Sequence, residues 1–323
     1  MKQFRLPFLA KGGILVLGYV VVLLLIWSGV INDYIQATMV TICINIILAS
    51  SLNLITGFTG QFSLGHAGFM SIGAYTTALV TMNFPTVWGF VGGLLLGAVI
   101  AAIIGLLIGL PTLRLSGDYL AIATLGMAEI IRVLMLNFEF TNGAAGLIGI
   151  PRMVDWNWLF VFTAGSVILI ANLLRSAPGR NMIAVREDEI AATSIGVNAL
   201  QAKTLAFVVG AFFGALAGGM YSTYFYVIKP DIFGFLKSVD ILIIVVLGGL
   251  GSLSGSVIAA ILLALISTIL QDFSDLRMVI YGLILVVIMV FRPQGLLGDR
   301  EITLSALGRI IPRLPRKRNE VQP

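Results

Sequence analysis

GFTGQFSLGHAGF, residues 57 to 69, holds four glycines, two hydroxyl side chains, a glutamine and the one histidine of the chain. Gln61, Ser63 and His66 can donate and accept hydrogen bonds, either to a polar solute or to backbone groups left free by a break in a helix. Nothing around them supports covalent chemistry. One histidine, one cysteine (Cys43) and no G-x-S-x-G elbow leave no nucleophile with its base. The same scarcity provides no metal ligand set, and a single cysteine excludes a disulfide framework. No Gly-Lys dipeptide occurs, so the chain holds no Walker A loop and binds no ATP through one. Two other groups of charge stand out. Glu129 and Arg132 are three residues apart, close enough on one helix face to neutralise each other. Arg186, Glu187, Asp188 and Glu189 follow in succession, the densest charge in the interior of the chain.

The elements that must position these residues are membrane helices. No charged residue lies between Asp33 and Arg114, a gap of 80 residues that holds three crossings at about 20 residues each. The chain is 59% hydrophobic and 11% charged, with a mean hydropathy of +1.04, where a soluble domain carries roughly 25% charged residues. Long continuous apolar runs exclude a transmembrane barrel, whose strands alternate. The reading is an all-α polytopic membrane protein of about ten transmembrane helices. The predicted spans are 14–31, 36–56, 63–82, 87–110, 118–137, 158–174, 204–227, 238–250, 255–271 and 276–291. Lys2, Arg5 and Lys11 precede a first span with no A-x-A cleavage site after it, which reads as retained rather than as a signal peptide.

Basic residues set the orientation. The N-terminal segment 1–13, the 175–203 loop and the basic tail 292–323 are the positive parts, so both termini and that loop are expected in the cytoplasm. The domain between them is 14–291. The net charge of +5 comes largely from the tail, which suits anionic lipid headgroups and not nucleic acid.

Two apolar segments stop short. The second span runs into Gly57 and Gly60. The run from Val239 meets Gly248, Gly249 and Gly251 after about ten residues, too few to cross as a helix. Both places read G-x-x-G-x-x-S, ending at Ser63 and Ser254. An internal duplication and chance in a glycine-rich chain are both compatible with the match. Paired interruptions of this kind point to a transport path, since freed backbone is tolerated at membrane depth only inside protein or beside water. The candidate path residues are Gly57, Gly60, Gln61, Ser63, His66, Gly248, Gly251 and Ser254. Tight helix contacts and local backbone bonding are the competing use of the same residues.

In the 175–203 loop, a short helix from Met182 would place Ile183, Ile190 and Ala191 on its apolar side and end at Gly196. Its charges would either simply solvate a helical loop or set the register of a soluble partner that grips it.

Four stretches in order now resemble a known family: GFTGQFSLGHAGFMSIGAY (57–75), DYLAIATLGMAEIIR (118–132), TNGAAGLIGIP (141–151) and GRNMIAVREDEIAATSIGVN (179–198). From about Ile35 to Leu297 the chain is similar to the permease subunits of branched-chain amino-acid ABC importers, in particular the larger of their two permease types. In the third stretch Asn142 stands where a glycine is usual. The resemblance implies that Glu189 to Gly196, with Ala191 and Ala192, corresponds to the cytoplasmic loop contacted by the ATPase. It implies a second permease subunit, two ATP-binding subunits, a periplasmic binding protein and a place in the bacterial inner membrane. A urea or short-amide permease is the nearest alternative within that class, and a stand-alone secondary carrier lies outside it.

Overall fold

The computed structural model describes residues 32–115 and 117–269 without a break, with single residues and short runs between 19 and 28 and between 280 and 298. The predicted spans 14–31 and 276–291 lie wholly or largely outside the described residues. So do the segment 1–13 and most of the tail from Arg292.

Ten helices are described. They are α1 (Asp33–Thr56), α2 (His66–Asn83), α3 (Val87–Thr112), α4 (Asp118–Asn137), α5 (Trp156–Arg175), α6 (Ala177–Glu187), α7 (Glu189–Ser194), α8 (Ala199–Phe225), α9 (Phe235–Gly248) and α10 (Leu253–Ile269). Of these, α1, α3, α4, α5 and α8 are long and apolar enough to cross a membrane. At 1.5 Å per residue, the 14 residues of α9 reach about 21 Å, short of a hydrocarbon core of roughly 30 Å. Several starts carry a side-chain cap. Thr86 caps α3 through Gly89 N, Ser176 caps α6 ahead of Pro178, and the Oδ1 of Asn198 accepts from Gln201 N at 3.0 Å. The Asn198 cap explains why α8 begins five residues before the predicted 204.

The centre of the bundle is α2 with α8, flanked by α1 and α3. Here the chain uses small residues. Gly210, Gly214 and Gly218 of α8 recur every four residues and form one stripe. Added side chains there would meet Ile55, the ring of His66 and Met70 O respectively. Lipid tails are as apolar as leucine, so helices in a bilayer associate through such close backbone approach rather than through burial of bulk. By contrast α3 turns Leu95, Leu96, Val99, Ile103 and Leu107 outward, a surface suited to lipid.

Two short strands, β1 (Leu147–Ile148) and β2 (Val227–Ile228), pair antiparallel at one end of the bundle, Leu147 opposite Ile228. The turns 57–65 and 249–252, with α6, lie together at the opposite end.

Candidate functional site

The two glycine turns meet. Gly57 ends α1, its N–H donating to Asn53 O at 2.8 Å, and the link to α2 runs through Gly60 at φ +71°. Between α9 and α10, Gly249 and Gly251 stand at φ +110° and +89°. These angles belong to the left-handed side of backbone space that glycine enters without strain. A side chain at Gly57 would collide with Gly251 N and with the Oδ1 of Asn53. The breaks are therefore the connections of two helix pairs, α1–α2 and α9–α10, pressed backbone to backbone.

Asn53, which the sequence motif did not include, holds them. Its Oδ1 accepts from Gly251 N at 2.9 Å, and its Nδ2 donates to Ser252 O at 2.9 Å, Ser256 Oγ at 2.7 Å and Gly249 O at 3.5 Å. The signal was available: a buried asparagine in an apolar span is expensive unless partnered, and Asn53 sits one turn before Gly57. Gly248 and Gly255 bring the next turn of α9 and α10 equally close.

Gln61, Ser63 and His66 are buried within this one chain. His66 is 1% exposed, with Nε2 2.8 Å from Ser51 Oγ and its ring under Gly214. Gln61 Nε2 donates to Thr59 Oγ1 at 3.0 Å, and Ser63 Oγ accepts from Gly65 N at 3.4 Å. Backbone N–H groups freed at the start of α2 find Thr124 of α4, at 3.1 Å from Leu64 N, and Ser238 of α9, at 3.2 Å from Ala67 N. Within the two turns, Gly60, Phe62 and Leu250 are exposed, and Ser254 is half-buried beside Ser252 Oγ at 3.3 Å. Two cavities of about 350 and 340 Å³ are lined by other residues.

Beside the turns stands the 175–203 loop. The single helix expected from Met182 is instead two, because Asp188 leaves helical geometry (φ −158°, ψ 109°) to cap the second. Its Oδ1 accepts from Ile190 N and Ala191 N, both at 2.9 Å. That satisfies the orphan donors of α7 and places a negative charge at its N-terminus. Glu189 reaches Lys203 Nζ at 2.6 Å, and Arg186 Nε lies 3.9 Å from Glu187. Gly196, at φ +91°, ends α7 with Gly196 N donating to Thr193 O. Ala192 is buried against the bundle, while Ala191 is exposed and Ile190 and Ile195 stand 80% and 79% exposed. The result is a capped helical knob with an apolar tip.

Farther off, Arg132 Nε lies 2.7 Å from Glu129 Oε2, and its Nη1 reaches Asp231 at 3.2 Å. The charge cluster thus ties α4 to the 3₁₀ turn Pro230–Phe233. Asn142 sits at φ 58°, its Nδ2 donating to Gly146 O at 3.0 Å. A left-handed position accepts asparagine in place of glycine at small cost, because its side chain bonds locally.

A bundle of membrane-length helices, with two locked glycine turns and an exposed helical knob, is a polytopic membrane protein. Residues 34–289 match the model of the family described as branched-chain amino acid transport system, permease component, and the chain belongs to that family. It is 35% identical over 289 residues to the high-affinity branched-chain amino acid transport system permease protein LivM of Escherichia coli, covering 79% of this chain and 68% of that one. The LivH permease protein of Escherichia coli is 24% identical over 287 residues, covering 79% of this chain and 92% of its own. A probable branched-chain amino acid transport permease protein LivM of Methanocaldococcus jannaschii is 24% identical over 318 residues, 90% of this chain and 83% of that one. No solved structure matches the chain.

Proposed function

We propose that this chain is the larger-type permease subunit of an ATP-driven importer and forms part of the route by which branched-chain amino acids cross the bacterial inner membrane. The observation that carries the reading is the family match across nearly all of the membrane-embedded region. In this reading the chain makes about ten crossings with both termini in the cytoplasm. A second permease subunit lies beside it, two ATP-binding subunits supply hydrolysis, and a periplasmic binding protein delivers substrate. The chain itself catalyses nothing and holds no cofactor.

The α6–α7 knob is where an ATP-binding subunit couples to the chain: it docks through Glu187, Asp188, Glu189, Ala191 and the segment to Gly196, with Arg186 linking the knob to the bundle. Its apolar tip would be wasteful in water and gains when covered. The two locked turns, from Gly57 to His66 and from Gly248 to Ser254, form the cytoplasmic end of the path. The exposed backbone at Gly60 and the half-buried Ser254 face that route, and Gln61, Ser63 and His66 shape it from beneath.

The test is uptake of labelled leucine into vesicles holding all four membrane-associated subunits, with binding protein added outside and ATP inside. Leucine accumulation that stops when either ATP or the ATP-binding subunits are omitted is the expected result. Uptake of urea but not leucine would move the substrate class, and uptake without the ATP-binding subunits would make the chain a carrier. In the same assay the Gln61→Ala/His66→Ala double variant is expected to assemble and transport more slowly. Normal uptake by it would leave those two residues as packing.

A further inference from the structure

Arg186 touches both glycine turns at once. The three atoms nearest to a side chain built at Gly60 are all its own, Cγ at 3.5 Å, Cα at 3.7 Å and Cβ at 3.8 Å. A side chain built at Gly251 would collide with its Nη1. The stem therefore lies over the α1–α2 turn, and the guanidinium reaches the α9–α10 turn. Both contact points are left-handed glycines that have no side chain to interpose. Arg186 is also two residues ahead of Asp188, the cap of the exposed α7. Behind it α6 is anchored by the buried Met182 and Val185, so the arginine projects from a fixed base.

We propose that Arg186 is the strut through which a push on the α6–α7 knob reaches both glycine turns together, a positioning residue for coupling rather than a docking contact. The turns are already one body, because Asn53 bonds the second from the first. A single side chain spanning both thus moves α1, α2, α9 and α10 as a unit. The guanidinium is flat and rigid, and an ammonium on a flexible stem does not reproduce its reach. The assignment deepens the docking role given above to this loop, and it rests on that role.

The experiment uses the complete importer in vesicles and reads two quantities: leucine moved per ATP hydrolysed, and ATP-binding subunit retained on purification. For Arg186→Ala the expected result is full retention and continued hydrolysis, with leucine per ATP lowered about tenfold. For Arg186→Lys the ratio falls less. Ile190→Asp, on the exposed tip, serves as contrast and is expected to lose the ATP-binding subunit instead. An unchanged ratio in Arg186→Ala overturns the proposal, and so does loss of the ATP-binding subunit to the extent seen with Ile190→Asp. If the Arg186→Ala permease itself fails to fold or insert, Arg186→Lys decides: an assembled complex with a lowered ratio supports the strut. A wild-type ratio in that variant, or no assembly, overturns it. A wild-type complex that moves no leucine would instead count against the transport reading itself.

Discussion

Asn53 makes four hydrogen bonds from one side chain, and each goes to the α9–α10 end of the molecule. In a protein interior a donor or acceptor stripped of its partner costs about 1–3 kcal/mol. Asn53→Leu keeps similar bulk and orphans Gly251 N–H, while Ser252 O keeps its bond from Ser256 N. Its expected outcome is a loss of stability of about that size, read as a lowered midpoint of thermal unfolding in detergent. A midpoint equal to wild type would mean the two turns are held by backbone packing alone. His66 belongs to the same scale of argument. One hydrogen bond to Ser51 and a ring fitted under Gly214 fix its position between α1 and α8.

At the scale of the element, α7 is six residues long and too short to persist alone. It stands because Asp188 caps it and Ala192 and Lys203 tie it to the bundle. Stability and binding therefore separate along its surface. Asp188→Ala removes the cap and is expected to destabilise the helix by about 1 kcal/mol, weakening docking indirectly. Glu189→Gln weakens the ion pair with the half-buried Lys203, whose glutamate side is exposed, and is expected to cost α7 no more than about 1 kcal/mol of stability. Ile195→Asp changes a largely exposed side chain and puts a charge on the tip. Its expected effect is the largest loss of ATP-binding subunit of the three, measured by retention of that subunit through purification. Equal retention in Ile195→Asp and wild type would show that the partner grips another face.

For the whole molecule, the arrangement of ends can be tested directly. The glycine turns and the α6–α7 knob share one end, and the β1–β2 pair with Asn142 occupies the other. With Cys43 replaced by serine, Ser194→Cys and Asn142→Cys are labelled in intact cells by a thiol reagent that does not cross membranes. Labelling at 142 and none at 194 before lysis is expected from the basic bias of the 175–203 loop. The reverse pattern would invert the protein in the bilayer, and with it the docking role of α7.

Among the described residues the sequence alone determined most of the long helices and where they stop, while α6 and α7 read as one helix. Long uncharged runs have no other stable solvent than lipid or a helical core within it, and caps such as Asn198 and breaks such as Gly57 act on their immediate neighbours. It also marked both G-x-x-G segments and the charged loop as places of interest. Only the tertiary structure decided that these three regions are one place. Asn53 and Ser252 are 199 residues apart, and Arg186 lies far along the chain from both glycines it touches. Their meeting depends on how α8 draws α1 and α2 together through Gly210, Gly214 and Gly218, which is a matter of backbone approach between helices. Local pattern carries no record of that distance. For the same reason burial of Gln61, Ser63 and His66 was not legible: a polar side chain in an apolar run reads alike whether it faces a solute or a neighbouring helix, and the neighbour is set by packing.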